Sequence, residues 1–168
     1  MSGLSRDTNP SDLLRWLHMT PAGTIVACPD CGTRNRERAT PMGVPRCSVC
    51  QTLLPWIVEA GPDTFDEEIA SSVPVLVDFW APWCGPCRAV SPLVERLGRE
   101  NAGRLKVVKL NVDEAPAIAG RYRVQGIPLL VLIQERSERD RLVGAAPLAQ
   151  LQAWLAPHLT AARDAADA

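Results

Sequence analysis

The chain has 168 residues, of which 46% are hydrophobic and 22% are charged, and its formal net charge is −1. Length and composition are those of a globular protein with one ordinary domain and a small additional module. The near-neutral charge does not indicate binding to nucleic acid or to a membrane surface. The first ten residues lack the basic and then apolar pattern of a secretory signal, so we expect a cytoplasmic protein.

Residues 1–24 are predicted to be a leader that contains one short helix between Ser11 and His18. Ser11 is a residue type that caps helices, and Leu13, Leu14 and Leu17 would lie on one side of this helix. Two interpretations stay open. The leader is either an arm that docks on a partner or on the main domain, or a frayed tail.

The six cysteines form three Cys-x-x-Cys pairs, which are Cys28/Cys31, Cys47/Cys50 and Cys84/Cys87. In a reducing compartment, cysteines paired in this way are typical of metal sites or redox sites rather than of structural disulfides. The sequence therefore predicts both kinds of site, and the surroundings of each pair distinguish them.

Residues 25–54 form a cysteine-rich module in which fifteen residues separate Cys31 from Cys47. This spacing is typical of zinc sites made of two Cys-x-x-Cys turns. Thiolates from Cys28, Cys31, Cys47 and Cys50 would complete a tetrahedral site with no open position. Because the segment has almost no apolar core, one structural zinc ion would supply much of its folding free energy. The alternative is two redox-active or disulfide-bonded dithiols.

The charged run from Arg34 to Arg38 is predicted to lie at the tip of the loop between these two pairs. Glu37 interrupts the run, and no aromatic residue accompanies it. We therefore interpret it as a solvated loop, and we expect neither a nucleic acid nor a membrane as a partner.

Residues 55–160 are predicted to form an α/β domain with a central mixed β-sheet and helices on both faces. The predicted elements are a strand at 56–58, a helix at 62–70, a strand at 75–80, a helix at 84–100, a strand at 105–112, a helix at 115–122, a strand at 129–133, a short strand that ends at 142–143 and a helix at 148–159. The continuous apolar strand at 75–80 is expected to be central. Residues 161–168 are predicted to be a flexible tail.

Cys84 and Cys87 directly follow that apolar strand and open the next helix, which is the arrangement of a redox dithiol. The partial positive charge at a helix N-terminus favours a thiolate on Cys84, which is expected to be exposed. Cys87 would lie one turn deeper, close enough to form a disulfide. Asp78 lies inside the strand, where poor solvation should raise its pKa and suit it to proton transfer. An Asp78 carboxyl that reaches water is the alternative.

The segment 75–88, VLVDFWAPWCGPCR, resembles the redox site of the thioredoxin family. The agreement continues in KLNVD at 109–113, in RYRVQGIP at 121–128 and in VGA at 143–145, so that it covers residues 55–160. Together with the cysteine-rich module in front, the chain resembles the two-module bacterial thioredoxins known as thioredoxin 2.

This resemblance implies the thioredoxin fold and the reduction of protein disulfides. Cys84 would attack the substrate disulfide, Cys87 would resolve the mixed disulfide, Asp78 would exchange a proton with Cys87, and Lys109 would modulate the carboxyl group. The resemblance also implies a cis peptide bond before Pro128. The implied substrate-binding surface consists of Trp83, Gly85, Pro86, Gly126, Ile127, Pro128 and Gly144.

The partners implied by the resemblance are oxidised protein substrates and an NADPH-dependent thioredoxin reductase. Neither NADPH nor flavin is expected to bind here, because no Gly-rich dinucleotide turn follows a strand. We expect a monomer. The alternatives in other functional classes are a zinc-dependent redox sensor and a protein-docking module built on the same domain.

Two positions depart from the family pattern. Leu129 follows the predicted cis-proline, where the family usually has threonine. It removes a hydroxyl group near the sulfurs, which we expect to change the substrate preference. The hairpin at 134–141 lacks the usual Asn-Gly pair, so a looser and highly charged turn is predicted there.

Overall fold

The computed structural model describes residues 25–36 and 43–166. The predicted leader and its helix lie outside the described residues. The secondary structure is β1 (Ile25–Ala27), β2 (Arg34–Arg36), β3 (Trp56–Ala60), α1 (Phe65–Glu68), β4 (Val75–Trp80), α2 (Gly85–Glu100), β5 (Lys106–Asn111), α3 (Pro116–Arg121), β6 (Leu129–Gln134), β7 (Ser137–Val143) and α4 (Leu148–Ala166). Over the described residues, no helix is long and apolar enough to cross a membrane.

The main domain is organised around a five-stranded sheet in the order β3-β5-β4-β6-β7. Strands β3, β5 and β4 are parallel, whereas β6 is antiparallel to β4 and β7 is antiparallel to β6. The predicted mixed sheet is therefore confirmed. The apolar strand β4 lies at its centre, because a strand that is covered on both faces has no need of alternating polar residues.

Side chains of β4 alternate between two apolar clusters, one on each face of the sheet. Val75, Val77 and Phe79 belong to the cluster that also contains Phe65 from α1 and Ile118 from α3. Leu76 belongs to the opposite cluster, with residues of α2 and α4. Asp78 follows Leu76 by two positions in the strand, so both side chains lie on the same face, which α2 covers.

Two helix boundaries differ from the predicted ones. Helix α1 begins only at Phe65, because residues 61–64 form a turn in which the Thr64 hydroxyl accepts the N–H of Gly61. Helix α4 was expected to end at 159 but continues to Ala166. This extension takes up most of the predicted flexible tail, and its alanines have the highest helix propensity of any residue type.

The prediction of a loose turn between β6 and β7 is wrong. Glu135 and Arg136 alone connect the strands, and their φ angles are 52° and 61°. Positive φ at both central positions is the geometry of a tight type I′ turn. Here Gln134 pairs with Ser137 directly beside the turn, so the antiparallel ladder imposes this backbone on two unfavourable residue types.

Candidate active site and candidate metal centre

Cys84 and Cys87 are joined by a disulfide at the start of α2, with their Cα atoms 5.3 Å apart. Cys84 is the N-cap of this helix, and its Sγ accepts a hydrogen bond from the backbone N–H of Cys87 at 3.2 Å. Pro86 occupies the first turn, where its lack of an N–H costs nothing. The Cys84 sulfur therefore lies at the positive end of the helix dipole, which stabilises a thiolate.

Cys84 is less exposed than predicted. It is 4% exposed and Cys87 is 1% exposed, so the order is as expected but both residues are buried. Ala81 and both cysteines form a small apolar cluster, against which Trp80, Val112 and Ile127 pack. In the disulfide form each sulfur also covers the other. A prediction from the position at the helix start alone therefore overestimates the exposure of Cys84.

The predicted cis peptide bond before Pro128 is present and lies beside the disulfide. The carbonyl oxygen of Ile127 is 3.8 Å from the Cys84 Sγ. Pro128 accepts the N–H of Gly144 at 2.9 Å, which joins the end of β7 to this loop. Gly144 has a φ of +88°, a conformation that other residue types rarely adopt.

Most of the predicted substrate-binding residues surround the sulfurs at the surface. Trp83 is 66% exposed, and its indole N–H donates to the Asp113 carboxylate at 2.8 Å. Gly85, Pro86 and Gly126 are exposed, whereas Ile127 is half-buried. These residues form an exposed rim beside the buried sulfurs. The sequence reasoning gave no role to Asp113, which holds the indole ring in place.

Leu129 is only 2% exposed and belongs to the apolar cluster on the α1 side of the sheet. It pairs in register with Phe79 of β4. Its side chain therefore contributes to packing, and its effect on substrate preference stays a prediction.

Asp78 is completely buried, as its position in an apolar strand predicts. Burial raises the pKa of its carboxyl group to about 6, against the opposing effects of a hydrogen bond from Ser91 and the charge of Lys109. The Ser91 hydroxyl donates to Oδ2 at 2.9 Å, and the other oxygen, Oδ1, is buried and has no hydrogen-bond partner among the described residues. This carboxyl group can exchange a proton near neutral pH.

Lys109 lies beside Asp78 in the parallel ladder of β4 and β5. Its ammonium group contacts Glu95 Oε1 at 3.0 Å and Glu59 Oε1 at 3.9 Å, and it lies 5.5 Å from the centre of the Trp80 ring. The ion-pair partner of Lys109 is therefore Glu95, while its positive charge lowers the pKa of Asp78 from a distance.

Sequence reasoning did not identify Ser91 or Glu95 as part of this site. The signal was present, because both follow Cys87 at steps of four residues along a helix. Residues at this spacing lie on one face. The face of α2 that carries Cys87 therefore also carries the two residues that contact Asp78 and Lys109.

The four remaining cysteines converge as predicted. Their Sγ atoms all lie within 4.8 Å of one another, and two pairs of Sγ atoms, Cys28 with Cys50 and Cys31 with Cys47, are 3.5 Å apart. Sulfur atoms at this distance are in van der Waals contact and can share a proton or bind the same metal ion. A cluster of four thiols can hold such an ion.

The two cysteine turns share one backbone pattern and one sequence pattern, Cys-x-x-Cys-x-Thr. In the first turn, Cys28 N–H donates to Thr33 and Gly32 N–H donates to Cys28; the second turn repeats this with Cys47, Thr52 and Gln51. Gly32 and Gln51 occupy equivalent positions, with φ angles of 72° and 63°. Backbone N–H groups of Cys50 and Val49 lower the pKa of the Cys47 thiol. Against the opposing backbone N–H of Cys31, burial and the sulfurs of Cys50 and Cys31 raise the pKa of the Cys28 thiol to about 11, so the thiols of this cluster do not ionise alike.

The run Arg34–Arg36 is strand β2 and not a loop, which corrects the prediction. It pairs with β1, and the Asn35 side chain, only 8% exposed, accepts the backbone N–H of Ser48 at 2.9 Å. Asn35 also donates to the Cys47 sulfur at 3.7 Å. A residue between two arginines thus joins the two cysteine turns, and alternation along a strand places the arginines outward.

A cavity of about 830 Å³ lies where the cysteine-rich module meets the main domain. Its lining includes apolar residues of the module, three residues of β3 and the ionic groups Glu95 and Lys109. The residues of the module include Ile25, Val26, Ala27 and Leu53, and those of β3 are Ile57, Val58 and Glu59. The ion pair beside Asp78 is therefore also part of the wall between the two modules.

A mixed sheet with a Cys-Gly-Pro-Cys disulfide at a helix start, beside a cis-proline, defines a thiol–disulfide oxidoreductase domain. The sequence model of the family described as Thioredoxin matches residues 57–157. The chain belongs to the thioredoxin family. The residues of the cysteine-rich module precede the matched range.

Individual relatives agree with this membership. The chain is 47% identical to "Thioredoxin 1" of Nostoc sp. over 97 residues, which are 57% of this chain and 91% of that protein. It is 45% identical to "Thioredoxin" of Synechocystis sp. over 97 residues, with the same two coverages of 57% and 91%. It is 47% identical over 83 residues to the pea protein "Thioredoxin M-type, chloroplastic", which are 49% of this chain and 48% of that one.

Proposed function

We propose that this thiol–disulfide oxidoreductase works as a protein-disulfide reductase of the two-module type known as thioredoxin 2. The observation that carries the proposal is the position of Cys84. Its sulfur lies at the helix N-terminus and 3.8 Å from the carbonyl oxygen before the cis-proline, with Trp83 exposed beside it. A substrate strand that pairs with this loop brings its disulfide to Cys84.

The reaction transfers two electrons from the dithiol to the substrate. The Cys84 thiolate attacks one substrate sulfur, which forms a mixed disulfide and releases the other substrate sulfur as a thiolate. Cys87 then attacks the Cys84 sulfur, which forms the Cys84–Cys87 disulfide and releases the second substrate sulfur. An NADPH-dependent thioredoxin reductase returns two electrons and restores the dithiol.

Asp78 serves the second step. Cys87 attacks as a thiolate, so its proton must leave, and an ionised carboxyl group with a pKa of about 6 can accept it near neutral pH. Lys109 favours the ionised carboxyl by its charge, and Glu95 offsets part of that charge at 3.0 Å. The other proposed residues, which are Gly85, Pro86, Gly126, Ile127, Pro128 and Gly144, form the docking surface around the sulfurs.

The cysteine-rich module binds one structural zinc ion through Cys28, Cys31, Cys47 and Cys50. Support comes from the four sulfurs, which converge within 4.8 Å of one another. When bound, zinc would hold the two turns together as a closed site. We further propose a cytoplasmic monomer.

The test is reduction of a protein disulfide such as that of insulin, with NADPH and a thioredoxin reductase. Cys84→Ser should abolish turnover and trap no substrate, whereas Cys87→Ser should accumulate a mixed disulfide at Cys84 that mass spectrometry identifies. Full turnover by Cys84→Ser would overturn the mechanism. Trapping at Cys87 in the Cys84→Ser protein would exchange the two roles.

A second candidate function, redox sensing by the zinc cysteines, is favoured by the cavity between the modules. Glu95 and Lys109 line it together with Ile25 and Val26 of β1. Oxidation of the cysteine turns would release zinc, loosen β1 and expose the Lys109–Glu95 pair to water. This exposure would alter the electrostatic environment of Asp78.

Peroxide treatment of the reduced, zinc-loaded protein tests the sensor. We expect the loss of one zinc per chain together with a change in turnover that re-reduction in the presence of zinc reverses. Zinc loss without any change in turnover contradicts the sensor but leaves the metal site intact as a proposal. Absence of zinc from protein that was purified under reducing conditions contradicts both.

A further inference from the structure

The hydroxyl group of Ser91 contacts the buried carboxyl group at the centre of the site. Ser91 Oγ lies 2.9 Å from Asp78 Oδ2, and Oδ1 of the same carboxyl is buried with no hydrogen-bond partner in the part of the chain that the structure describes. The two carboxyl oxygens are therefore not equivalent. One is held by a donor, and the other is free to bind a proton.

We propose that Ser91 is a positioning residue for the Asp78 carboxyl group: its hydroxyl occupies Oδ2 and leaves Oδ1 as the oxygen that exchanges the proton with Cys87. This inference rests on the proposed function, in which Asp78 serves the resolving step. In the forward step the proton leaves the Cys87 sulfur and forms the O–H bond at Oδ1. When the dithiol is regenerated, that proton returns.

The helix explains why residue 91 can do this. Cys87 and Ser91 are four residues apart in α2, so that one rigid face of the helix carries both the resolving sulfur and the hydroxyl group. Asp78 points to this face from the central strand. A proton on Oδ2 would compete with the hydrogen atom of the Ser91 hydroxyl, whereas a proton on Oδ1 meets no such competition.

The charged groups around Asp78 do not replace this hydroxyl. From β5, Lys109 faces the carboxyl but contacts Glu95 at 3.0 Å. From α2, the Glu95 carboxylate acts in the opposite electrostatic direction to Lys109. From β3, Glu59 lies 3.9 Å from the Lys109 ammonium group and is mostly exposed. Among the described hydrogen bonds, the one from Ser91 is the only one to the Asp78 carboxyl group.

The direction of the effect follows from the hydrogen bond. A hydroxyl that donates to a carboxylate stabilises the ionised form and lowers the pKa of the acid. Without the hydroxyl, Asp78 should hold its proton to higher pH. We expect the hydrogen bond to change the ionisation constant about tenfold, which moves the midpoint by roughly one pH unit.

The experiment follows the resolving step, which is the release of the second substrate thiol from the mixed disulfide at Cys84, in single turnover of the reduced full-length protein between pH 5 and 9. With Ser91→Ala, the midpoint of the acidic limb should rise by roughly one unit, which lowers the rate about fivefold at pH 6 and hardly at pH 8. Ser91→Thr keeps a hydroxyl group and should retain the wild-type midpoint. Ser91→Val has the shape of threonine without the hydroxyl and should behave like Ser91→Ala.

Ser137→Ala is the matched control, because it removes an exposed serine hydroxyl on β7. It should leave the profile unchanged. A ¹³C NMR titration of the Asp78 carboxyl group measures its pKa directly. The pKa should rise in Ser91→Ala and Ser91→Val and stay unchanged in Ser91→Thr. Thermal unfolding shows whether each variant is folded. If Ser91→Ala is not folded, the comparison of Ser91→Thr with Ser91→Val tests the role of the hydroxyl group.

The Asp78→Asn background separates this inference from the proposed function. If Asp78→Asn removes the acidic limb and Ser91→Ala has no further effect in that background, both hold. If Asp78→Asn removes the limb but Ser91→Ala leaves its midpoint unchanged in the wild-type background, the role of Ser91 is wrong. If Asp78→Asn itself leaves the limb intact, the proposed role of Asp78 is wrong and the inference fails with it.

Discussion

The thioredoxin domain buries an extensive apolar cluster on each face of its sheet, whereas the apolar cluster described in the cysteine-rich module consists of Cys28, Cys47 and Leu54. Two of these three residues are candidate metal ligands. The domain can therefore fold by burial of apolar surface, at about 25 cal/mol per Å². The module has little such surface, which is why we propose that zinc bound to its sulfurs stabilises it.

Removal of the metal should have the largest effect, and it should be confined to the module. Cys47→Ser replaces a completely buried sulfur, and we expect loss of zinc and unfolding of residues 25–54, because structural zinc contributes about 10–16 kcal/mol in small modules. Metal analysis and amide hydrogen exchange measure the two effects.

Val49→Ser in the same turn is the control, since Val49 is 69% exposed and should be replaceable without loss of zinc. If Cys47→Ser retained one zinc per chain and a protected module, the comparison between the two regions would be wrong.

The converse change targets the domain. Leu132 is completely buried in β6, and Leu132→Ala should lower the free energy of unfolding by about 2–5 kcal/mol through lost burial and a cavity. The zinc content should stay at one per chain. Chemical denaturation measures the loss, with Val143→Ala, a truncation at a position that is 69% exposed, as the control. A loss of zinc in Leu132→Ala would show that the module depends on the core of the domain.

Asp78 is the polar exception inside that core, and it should cost stability at neutral pH. In the unfolded chain the carboxyl loses its proton near pH 3.8, but in the folded protein it keeps the proton up to about pH 6. Between these values the folded state binds more protons, so stability falls as the pH rises and the loss is complete above about pH 6. Asp78→Asn should therefore raise the free energy of unfolding at pH 7.5 by about 1–3 kcal/mol.

Denaturation of the oxidised protein at pH 4 and at pH 7.5 provides the measurement. The wild type should lose stability relative to Asp78→Asn over this range, while the substitution slows disulfide reduction. A stability difference that is the same at both pH values would contradict the raised pKa.

The smallest effects should come from the equivalent positions of the two cysteine turns. Gln51 has a φ of 63°, and Gln51→Gly should stabilise the module by about 1 kcal/mol because glycine adopts this backbone without strain. Gly32→Ala should destabilise the module by a similar amount, because a φ of +72° strains an alanine backbone. Among the described residues no atom lies within 4 Å of the added methyl carbon, so a steric clash does not contribute. Competition with a zinc chelator measures both changes, and equal behaviour of the two variants would contradict the equivalence of the turns.

The parts of this molecule that the sequence predicts are those determined by local chemistry. The spacing of six cysteines separates a metal-type set from a redox pair, and the apolar run at 75–80 identifies the central strand. Asp78 is recognisable because a carboxyl inside such a run has few ways to reach water. In each case the pattern and its physical consequence lie within a few residues of each other.

Contacts between distant elements could not be obtained in this way. Ser91 reaches Asp78 only because α2 covers one face of the sheet, and the ion pair between Glu95 and Lys109 joins α2 to β5. The tight turn at Glu135 and Arg136 contradicts local preference, because the pairing of β6 with β7 imposes it. Local patterns are therefore a poor guide wherever tertiary pairing opposes them.

The two outer strands of the sheet have a consequence for aggregation. An edge strand with free N–H and C=O groups is a template on which another chain can pair. Strand β7 carries Glu138, Arg139, Asp140 and Arg141 and has a register shift opposite Leu132 and Ile133, both of which discourage such pairing. Strand β3 has few charges, and the cysteine-rich module faces it across the cavity. Loss of the metal would therefore uncover the outer strand that has only Glu59 as a charged residue, and the chain would become prone to self-association at that edge.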